Sequence, residues 1–179
     1  SVDLENLPLH RDANGLPIHG LFVGRSGWEL VSVKGQPGSA SMVAAFNAAA
    51  DEEVMAAFPF PHELTVGFTV TPGRLMVSTT VTATGRRAVP VSFGWHPYFR
   101  LPDVDRDRVR LGMPSRNRLV LDERGIPTGE ERPESASIVK LAGADYDNAY
   151  RLGRDRQLLL ASGRRRLTVV LDRNYPYAQ

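Results

Sequence analysis

Apolar and polar residues alternate with a period of two along much of the chain. In the clearest case, residues 64–70 read L-T-V-G-F-T-V. Side chains two positions apart lie on the same face of a β-strand, so this pattern predicts a strand with one buried face. Pro72 and Gly73 follow directly and predict a turn.

Nine segments carry such strand patterns, and loops rich in Gly, Pro, Asp and Asn separate them. This spacing favours an all-β fold, a large antiparallel β-sandwich. The one notable helical candidate, residues 51–57, is stopped by Pro59 and Pro61. We predict residues 127–133 to be a long surface loop. The predicted strands span residues 28–33, 41–46, 64–70, 75–81, 89–94, 118–121, 137–141, 157–161 and 167–171.

The size of the chain predicts a single domain, residues 1–179, because 179 residues with 42% apolar content can build one core. No run of about 18 uncharged apolar residues is present, and the first residues lack a secretory signal pattern. These features predict a soluble cytoplasmic protein that does not enter a membrane. The absence of cysteine excludes disulfides, thiolate metal sites and cysteine nucleophiles.

Charge gives no indication of a nucleic-acid partner. The net charge is +2, and acids and bases are interleaved, as in residues 103–108. The longest basic run, Arg164 to Arg166, lies between two predicted strands. We therefore expect it to form a hairpin turn that faces water.

The stretch S-F-G-W-H-P-Y-F-R-L-P, residues 92–102, contains the first candidate for chemistry, His96. If the strand 89–94 forms, its odd positions through Trp95 face the core, and Gly94 and His96 share the other face with space beside them. Pro97 restricts the backbone of His96 and ends the strand. Such a histidine suits a general acid. The alternative interpretation is that His96 is partly buried and hydrogen-bonded to a backbone carbonyl.

Three further segments allow both a functional and a structural interpretation. His19, which precedes Gly20, is either a ligand contact or a turn residue. Residues 145–150, D-Y-D-N-A-Y, combine polar tips and aromatic rings as sugar sites do, but surface loops share that composition. His62 follows F-P-F-P and lies either on a rigid rim or in the core.

Five segments, in order along the chain, together resemble the aldose 1-epimerase (galactose mutarotase) family. One of them is the histidine motif G-W-H-P-Y-F-R-L, and any one segment is weak when taken singly, whereas the ordered set is a strong signal. The family's large antiparallel β-sandwich agrees with the strand pattern. The matching segments are residues 18–20 with Trp28, residues 94–101, residues 121–122 with 127–129, residues 146–150 and residues 175–179.

The resemblance implies an enzyme that interconverts the α and β anomers of a free hexose such as galactose or glucose, without a metal or an organic cofactor. By that resemblance His96 is the acid at the ring oxygen, and His19 is a second imidazole near it. Asp147 binds sugar hydroxyls, and Gln179 contacts the sugar close to its anomeric end.

Two parts of the family pattern have no counterpart in this sequence. The family's base is a glutamate beyond the glutamine that matches Gln179, and an asparagine–arginine pair precedes the first histidine. We therefore expect these residues to be the central part of an aldose 1-epimerase-like sandwich that lacks strands at both ends. The alternative is a relative that has lost its base.

Two other functions remain open on the same fold. One is non-catalytic carbohydrate binding. The other is epimerisation of hexose 6-phosphates, for which Arg25, Arg100 or Arg151 would have to line the groove.

Overall fold

The structure is a computed structural model, and it describes residues 9–179. The chain divides into two compact units, residues 1–92 and 93–179. Strands dominate the described part of both units, and every pairing between strands is antiparallel. The predicted all-β, antiparallel sandwich class is therefore confirmed. Among residues 9–179, no helix is both long enough and apolar enough to cross a membrane.

The first unit contains one four-stranded sheet whose strands follow chain order, β1-β2-β3-β4. Pro72 and Gly73 form the predicted turn between β3 and β4, and Gly73 takes a φ of +73° that an L side chain would resist. A 3₁₀ turn, Ala48–Ala50, leads into the single described α-helix. The elements are β1 (Glu29–Gln36), β2 (Ser39–Asn47), α1 (Glu52–Ala57), β3 (His62–Thr71) and β4 (Arg74–Ala83).

The core of this unit lies at one end of the sheet. Alternation along β3 places His62, Leu64 and Val66 on one face, and all three are almost fully buried. Val54 of α1 is also fully buried, and the carboxylate of Asp51 caps this helix by accepting the Val54 amide at 2.9 Å. The same face becomes exposed towards the far end of β3.

The predicted strand at residues 89–94 does not form, and that prediction was wrong. Residues 88–100 contain no strand. Pro90 and Pro97 remove backbone donors from any ladder, and Gly94 has no side chain to pack. The side chains expected in the core are exposed instead, 60% for Val91 and 46% for Trp95. His96 therefore does not lie at the end of a strand.

The second unit contains two four-stranded sheets. Their strand orders are β11-β10-β5-β8 and β12-β9-β6-β7. A 3₁₀ turn, Arg106–Arg108, precedes the first strand. The strands are β5 (Arg110–Met113), β6 (Arg116–Leu121), β7 (Pro127–Glu134), β8 (Ser137–Lys140), β9 (Tyr150–Leu152), β10 (Gln157–Ser162), β11 (Arg165–Val170) and β12 (Tyr177–Ala178).

The basic run lies at a hairpin turn, as predicted. Ser162 pairs with Arg165, so Gly163 and Arg164 make the turn between β10 and β11, with Gly163 at a φ of +56°. Arg164, Arg165 and Arg166 are all exposed.

Two kinds of strand were not predicted from the sequence. Residues 127–133, predicted as a loop, belong to β7, so that prediction was wrong. β7 is an edge strand, where prolines such as Pro127 and Pro133 cost fewer ladder hydrogen bonds. The strands β5, β9 and β12 were also missed. β9 and β12, three and two residues long, are too short for alternation to be recognised. Eight of the nine predicted strands form.

Candidate active site

The sheet β12-β9-β6-β7 brings three of the five sequence-matched segments to one of its ends. β9 pairs antiparallel with both β12 and β6, and β6 pairs antiparallel with β7. The start of β9 therefore lies beside the end of β12, the end of β6 and, one strand further, the start of β7. Gln179 follows β12, Asp147 precedes β9, Leu121 ends β6, and Pro127 begins β7.

Asp147 and Gln179 meet directly at this end of the sheet. The pairing of Ala178 with Tyr150 aligns the residues that flank them, and Gln179 Nε2 donates a hydrogen bond to Asp147 Oδ1 at 2.8 Å. Both side chains are exposed. A carboxylate and an amide held together and open to solvent offer both acceptors and donors to the hydroxyls of a polyol.

The P-T-G segment is fixed to the same sheet end by its own hydrogen bonds. Thr128 Oγ1 donates to the carbonyl of Val120 at 3.1 Å and accepts from the Glu130 amide at 3.3 Å. Gly129 has a φ of +92°, a conformation that favours glycine. The threonine and the glycine therefore have a structural role where this chain enters β7.

One face of the sheet carries a charged network beside this end. Glu131 accepts hydrogen bonds from Arg151 Nε at 2.8 and 2.9 Å and from Asn117 Nδ2 at 2.7 Å. These donors, Arg151 first, hold the pKa of Glu131 below its ordinary value, and the carboxylate in turn raises the pKa of Arg151. Glu131 is therefore a weak base, and this carboxylate is a poor candidate for proton abstraction.

A depression of about 340 Å³ opens next to this network. Tyr177 contributes an aromatic ring that is 58% exposed. Leu119 and Pro127 contribute apolar groups, and Glu130 and Glu131 contribute carboxylates. We refer to this feature, lined by Leu119, Pro127, Gly129, Glu130, Glu131 and Tyr177, as the Tyr177 depression.

The opposite face of the sheet is structural. The Arg116 guanidinium lies 4.8 Å from the centre of the Tyr150 ring and donates to Glu134 at 2.6 Å. Tyr150 is 9% exposed and Arg116 is 8% exposed. The sequence allowed Tyr150 to be an aromatic residue that packs on a sugar ring. In the structure its ring belongs to the core. Tyr146 of the same segment is 37% exposed.

His96 is exposed in the irregular segment at the start of the second unit. Its ring lies 5.3 Å from the ring of Tyr98, with the two planes tilted by 36°. Tyr98 is 92% exposed. A Cβ built on Gly94 meets no atom within 4 Å, so space is open beside this segment. The imidazole is not packed among hydrocarbon side chains, and an exposed imidazole can exchange protons with a ligand.

His19 belongs to the first unit and is exposed. Its φ is +65°, and Gly20 follows at +66°. A non-glycine residue in this region is uncommon and is found at turns and at functional sites. His19 therefore lies at a bend with a left-handed backbone, which fits both a turn residue and a ligand contact.

His62 is a core residue and not part of a rim. It is 3% exposed, and Nδ1 lies 2.7 Å from the carbonyl oxygen of Phe60. The rings of Phe22 and Phe58 pack edge-on against it, with centroids 5.9 and 5.7 Å away. In residues 9–179, no group of three or more His, Asp or Glu side chains has a metal-binding arrangement.

Sequence reasoning found Asp147 and Gln179, which the structure joins. It missed the partners on the sheet face, Glu131, Asn117 and Tyr177, and it considered Arg151 only as a phosphate ligand. Tyr177 and Gln179 are two residues apart, and this spacing was the one signal that could have connected them. The rest depends on strand pairings that no local pattern encodes.

The fold and these contacts define a class of protein: an antiparallel all-β protein with a solvent-open cluster of carboxylate, amide and aromatic groups suited to a sugar. The family model described as aldose 1-epimerase matches residues 5–179. The chain therefore belongs to the aldose 1-epimerase family, which supports a sugar epimerase or mutarotase type of function. Neither a curated protein nor a solved structure gives a significant match.

Proposed function

We propose that this protein interconverts the α and β anomers of a free hexose by acid–base opening of the ring. The observation that carries the proposal is the 2.8 Å hydrogen bond between Gln179 and Asp147. It joins two residues, 32 positions apart, that the family resemblance had separately assigned to sugar binding. Membership of the aldose 1-epimerase family over residues 5–179 supports the reaction type.

The reaction requires two proton transfers. A base takes the proton from the anomeric hydroxyl while an acid protonates the ring oxygen, and the C1–O5 bond breaks to give the open-chain aldehyde. Rotation about C1–C2 then presents the other carbonyl face to the O5 hydroxyl. Reclosure returns both protons and gives the opposite anomer, so no atom is gained or lost.

In this proposal His96 protonates the ring oxygen, because its exposed imidazole can reach a ligand. The family resemblance assigns His19, in the first unit, the role of a second imidazole. Asp147 accepts hydrogen bonds from sugar hydroxyls, and Gln179, which holds Asp147, contacts the anomeric end.

In this proposal the base is a glutamate, as the family resemblance implies. Glu131, which lies on the same sheet, is a poor candidate for this base, because Arg151 and Asn117 hold it as a stable anion.

The test follows mutarotation of freshly dissolved α-glucose and α-galactose by polarimetry, with protein produced from its complete reading frame. The expected result is a first-order rate that rises in proportion to enzyme concentration above the buffer rate. No acceleration with either sugar would contradict the catalytic proposal. If hexose binding detected by titration calorimetry persisted in that case, non-catalytic carbohydrate binding would replace it.

Two of the three arginines considered for epimerisation of hexose 6-phosphates, Arg25 and Arg151, are already paired with carboxylates. Arg25 is paired with Glu53 at 2.6 Å and lies 3.5 Å from Asp51, and Arg151 is held by Glu131. A guanidinium already neutralised by a carboxylate attracts phosphate weakly. The same polarimetric assay with glucose 6-phosphate gives a direct comparison, and we expect the free hexose to have the higher kcat/KM.

A further inference from the structure

A second depression, about 320 Å³ in volume, lies at the basic hairpin turn between β10 and β11. It shares no lining residue with the Tyr177 depression, and neither Asp147 nor Gln179 lines it. All of its lining belongs to the second unit. We refer to this feature as the Arg164 pocket. Its lining residues are Asp103, Val104, Arg108, Ser162, Gly163, Arg164 and Arg165.

Three arginines from two parts of the fold line the Arg164 pocket. Arg108 ends the 3₁₀ turn that precedes β5, whereas Arg164 lies in the hairpin turn and Arg165 begins β11. Both β5 and β11 pair with Ala161 of β10, so the starts of these two strands lie at the same end of the sheet. Strand pairing therefore brings together arginines that are far apart in the chain.

The lining of the pocket has an excess of positive charge. Its single carboxylate is Asp103, whose Oδ2 lies 3.4 Å from Arg165 Nη1. The Asp103 side chain is 86% exposed, and an ion pair in such a position is weak. Arg108 and Arg164 have no ion-pair partner among residues 9–179. Three arginines and one aspartate give the lining a net charge of +2.

A row of further cations crosses the sheet at the same end. Arg166 pairs with Ala161, Ala161 pairs with Arg110, and Arg110 pairs with Lys140. Residues paired directly across neighbouring strands lie on the same face of a sheet, so these three cations share one face. All three are exposed, and none forms an ion pair with another residue that the structure describes. Residues 105–107 add two acids in the adjoining turn, so cations remain in excess, and their field attracts anions.

A short phosphate chain is the ligand whose chemistry fits this lining. A guanidinium binds phosphate oxygens through two parallel N–H donors, and three guanidiniums can engage two or more phosphate groups. The Ser162 hydroxyl adds one more donor. The volume lies near the lower end of the range for ligand pockets, about 300–1,000 Å³. None of the seven lining residues is aromatic, so the bases of a nucleic-acid strand have no ring to stack on.

We propose that the Arg164 pocket binds an oligophosphate, which is pyrophosphate, triphosphate or the phosphate chain of a nucleotide. Arg108 and Arg164 hold the chain, and Asp103 competes with it for Arg165. The inference depends on these charges and on their placement, and it is independent of the sugar chemistry proposed above.

The first arm of the test is titration calorimetry at low ionic strength without divalent cations, with protein produced from its complete reading frame. The ligands are inorganic triphosphate, ATP and adenosine. Triphosphate and ATP should bind with similar affinity, and adenosine should not bind, because the lining offers no aromatic ring to a base. No binding of triphosphate at millimolar concentration, or adenosine binding as tight as that of ATP, would overturn the proposal.

The second arm removes single arginines. Arg164→Ala and Arg108→Ala should each raise the Kd for triphosphate by about five- to tenfold, since each deletes a charge-assisted contact. Arg173→Ala is the matched control, because Arg173 is an exposed arginine of the same unit that does not line the pocket. Its Kd should stay within about twofold of the wild-type value. An equal loss in Arg173→Ala would show that triphosphate is attracted by the general surface charge, and the site would be rejected.

The third arm changes the sign of the effect. Asp103→Asn removes the competing carboxylate and should lower the Kd for triphosphate by about two- to fivefold, the range of one exposed ion pair. Asparagine tolerates the left-handed backbone at this position, where φ is +53°, so the midpoint of urea unfolding should not change. A purely structural role of these residues does not predict opposite effects of Asp103→Asn and Arg164→Ala. Unchanged or weaker binding by folded Asp103→Asn protein would contradict the placement of the phosphate chain.

Discussion

Two short stretches of this chain are nearly alike in composition and have opposite environments. Residues 58–62 read F-P-F-P-H, and residues 95–99 read W-H-P-Y-F. The first leads into β3, and His62 is buried between phenylalanine rings with a carbonyl partner. The second has no strand, and His96 and Tyr98 are exposed.

The difference shows that proline and aromatic neighbours do not decide what a histidine does. His62 shares a strand face with Leu64 and Val66, so the hydrophobic effect buries it together with them. The segment around His96 contains two prolines that prevent pairing, and its aromatic groups remain available to a ligand. The buried histidine stabilises the fold, whereas the exposed one lies where a ligand can reach it. Of four predictions, given from the largest expected effect to the smallest, the first two test this distinction and the other two test the cluster and the network of the second unit.

His96→Asn should have the largest effect. If His96 is the general acid, its loss lowers kcat/KM for mutarotation on the order of 10²–10⁴-fold. Because the side chain is exposed, the midpoint of urea unfolding should remain that of the wild type. Polarimetry and urea titration measure the two quantities. A rate within twofold of the wild-type rate would contradict the assigned role.

His62→Ala should instead have its main effect on stability. The substitution opens a cavity between Phe22 and Phe58 and leaves the Phe60 carbonyl without its partner, which should lower the free energy of unfolding by about 2–4 kcal/mol. Urea unfolding is followed by tryptophan fluorescence in a Trp95→Phe background. The signal then comes from Trp28 of the first unit, whose ring contacts Phe46. His10→Ala, at an exposed histidine, is the control and should change stability by less than about 0.5 kcal/mol. Equal effects of the two substitutions would contradict the structural role of His62.

Asp147→Ala tests the open cluster at the sheet end. Removal of a charged acceptor from bound sugar should lower kcat/KM by about 10–100-fold, mainly through KM. Asp147→Asn keeps an acceptor oxygen for Gln179 Nε2 and should lose less. Asp145→Ala, an exposed carboxylate of the same loop, provides the control in the same polarimetric assay. A larger loss for Asp145→Ala would place the sugar elsewhere in this loop.

Glu131→Gln should have the smallest effect. We expect this effect in the pH dependence of the stability of the folded protein. Arg151 and Asn117 lower the folded pKa of Glu131 below its ordinary value of 4.5, so its contribution to stability is complete above that value and is lost as pH falls through the lower folded pKa. The melting temperature of the wild type should therefore fall more steeply below about pH 4.5 than that of Glu131→Gln. Thermal unfolding across pH 3–6 measures this, with Glu130→Gln as control. Parallel curves would show that the network does not persist in solution.

Much of the fold could be predicted from the sequence because period-two alternation is a local property. It found the four described strands of the first unit, the turn between β3 and β4, and the β10–β11 hairpin of the second unit. It failed where local composition and tertiary pairing disagree. The segment 89–94 alternates but has no partner strand, while β7 contains prolines and pairs at a sheet edge.

By itself, the sequence determined the antiparallel all-β class, the basic hairpin turn and the identity of the sugar-site candidates His96, His19, Asp147 and Gln179. Only the tertiary structure decided that Gln179 binds Asp147, that His62 and Tyr150 belong to the core, and that Glu131, Arg151 and Asn117 form one network. The reason is physical. Alternation and turn residues act over a few neighbouring positions, whereas the site is made by strand pairings that join residues far apart in the chain.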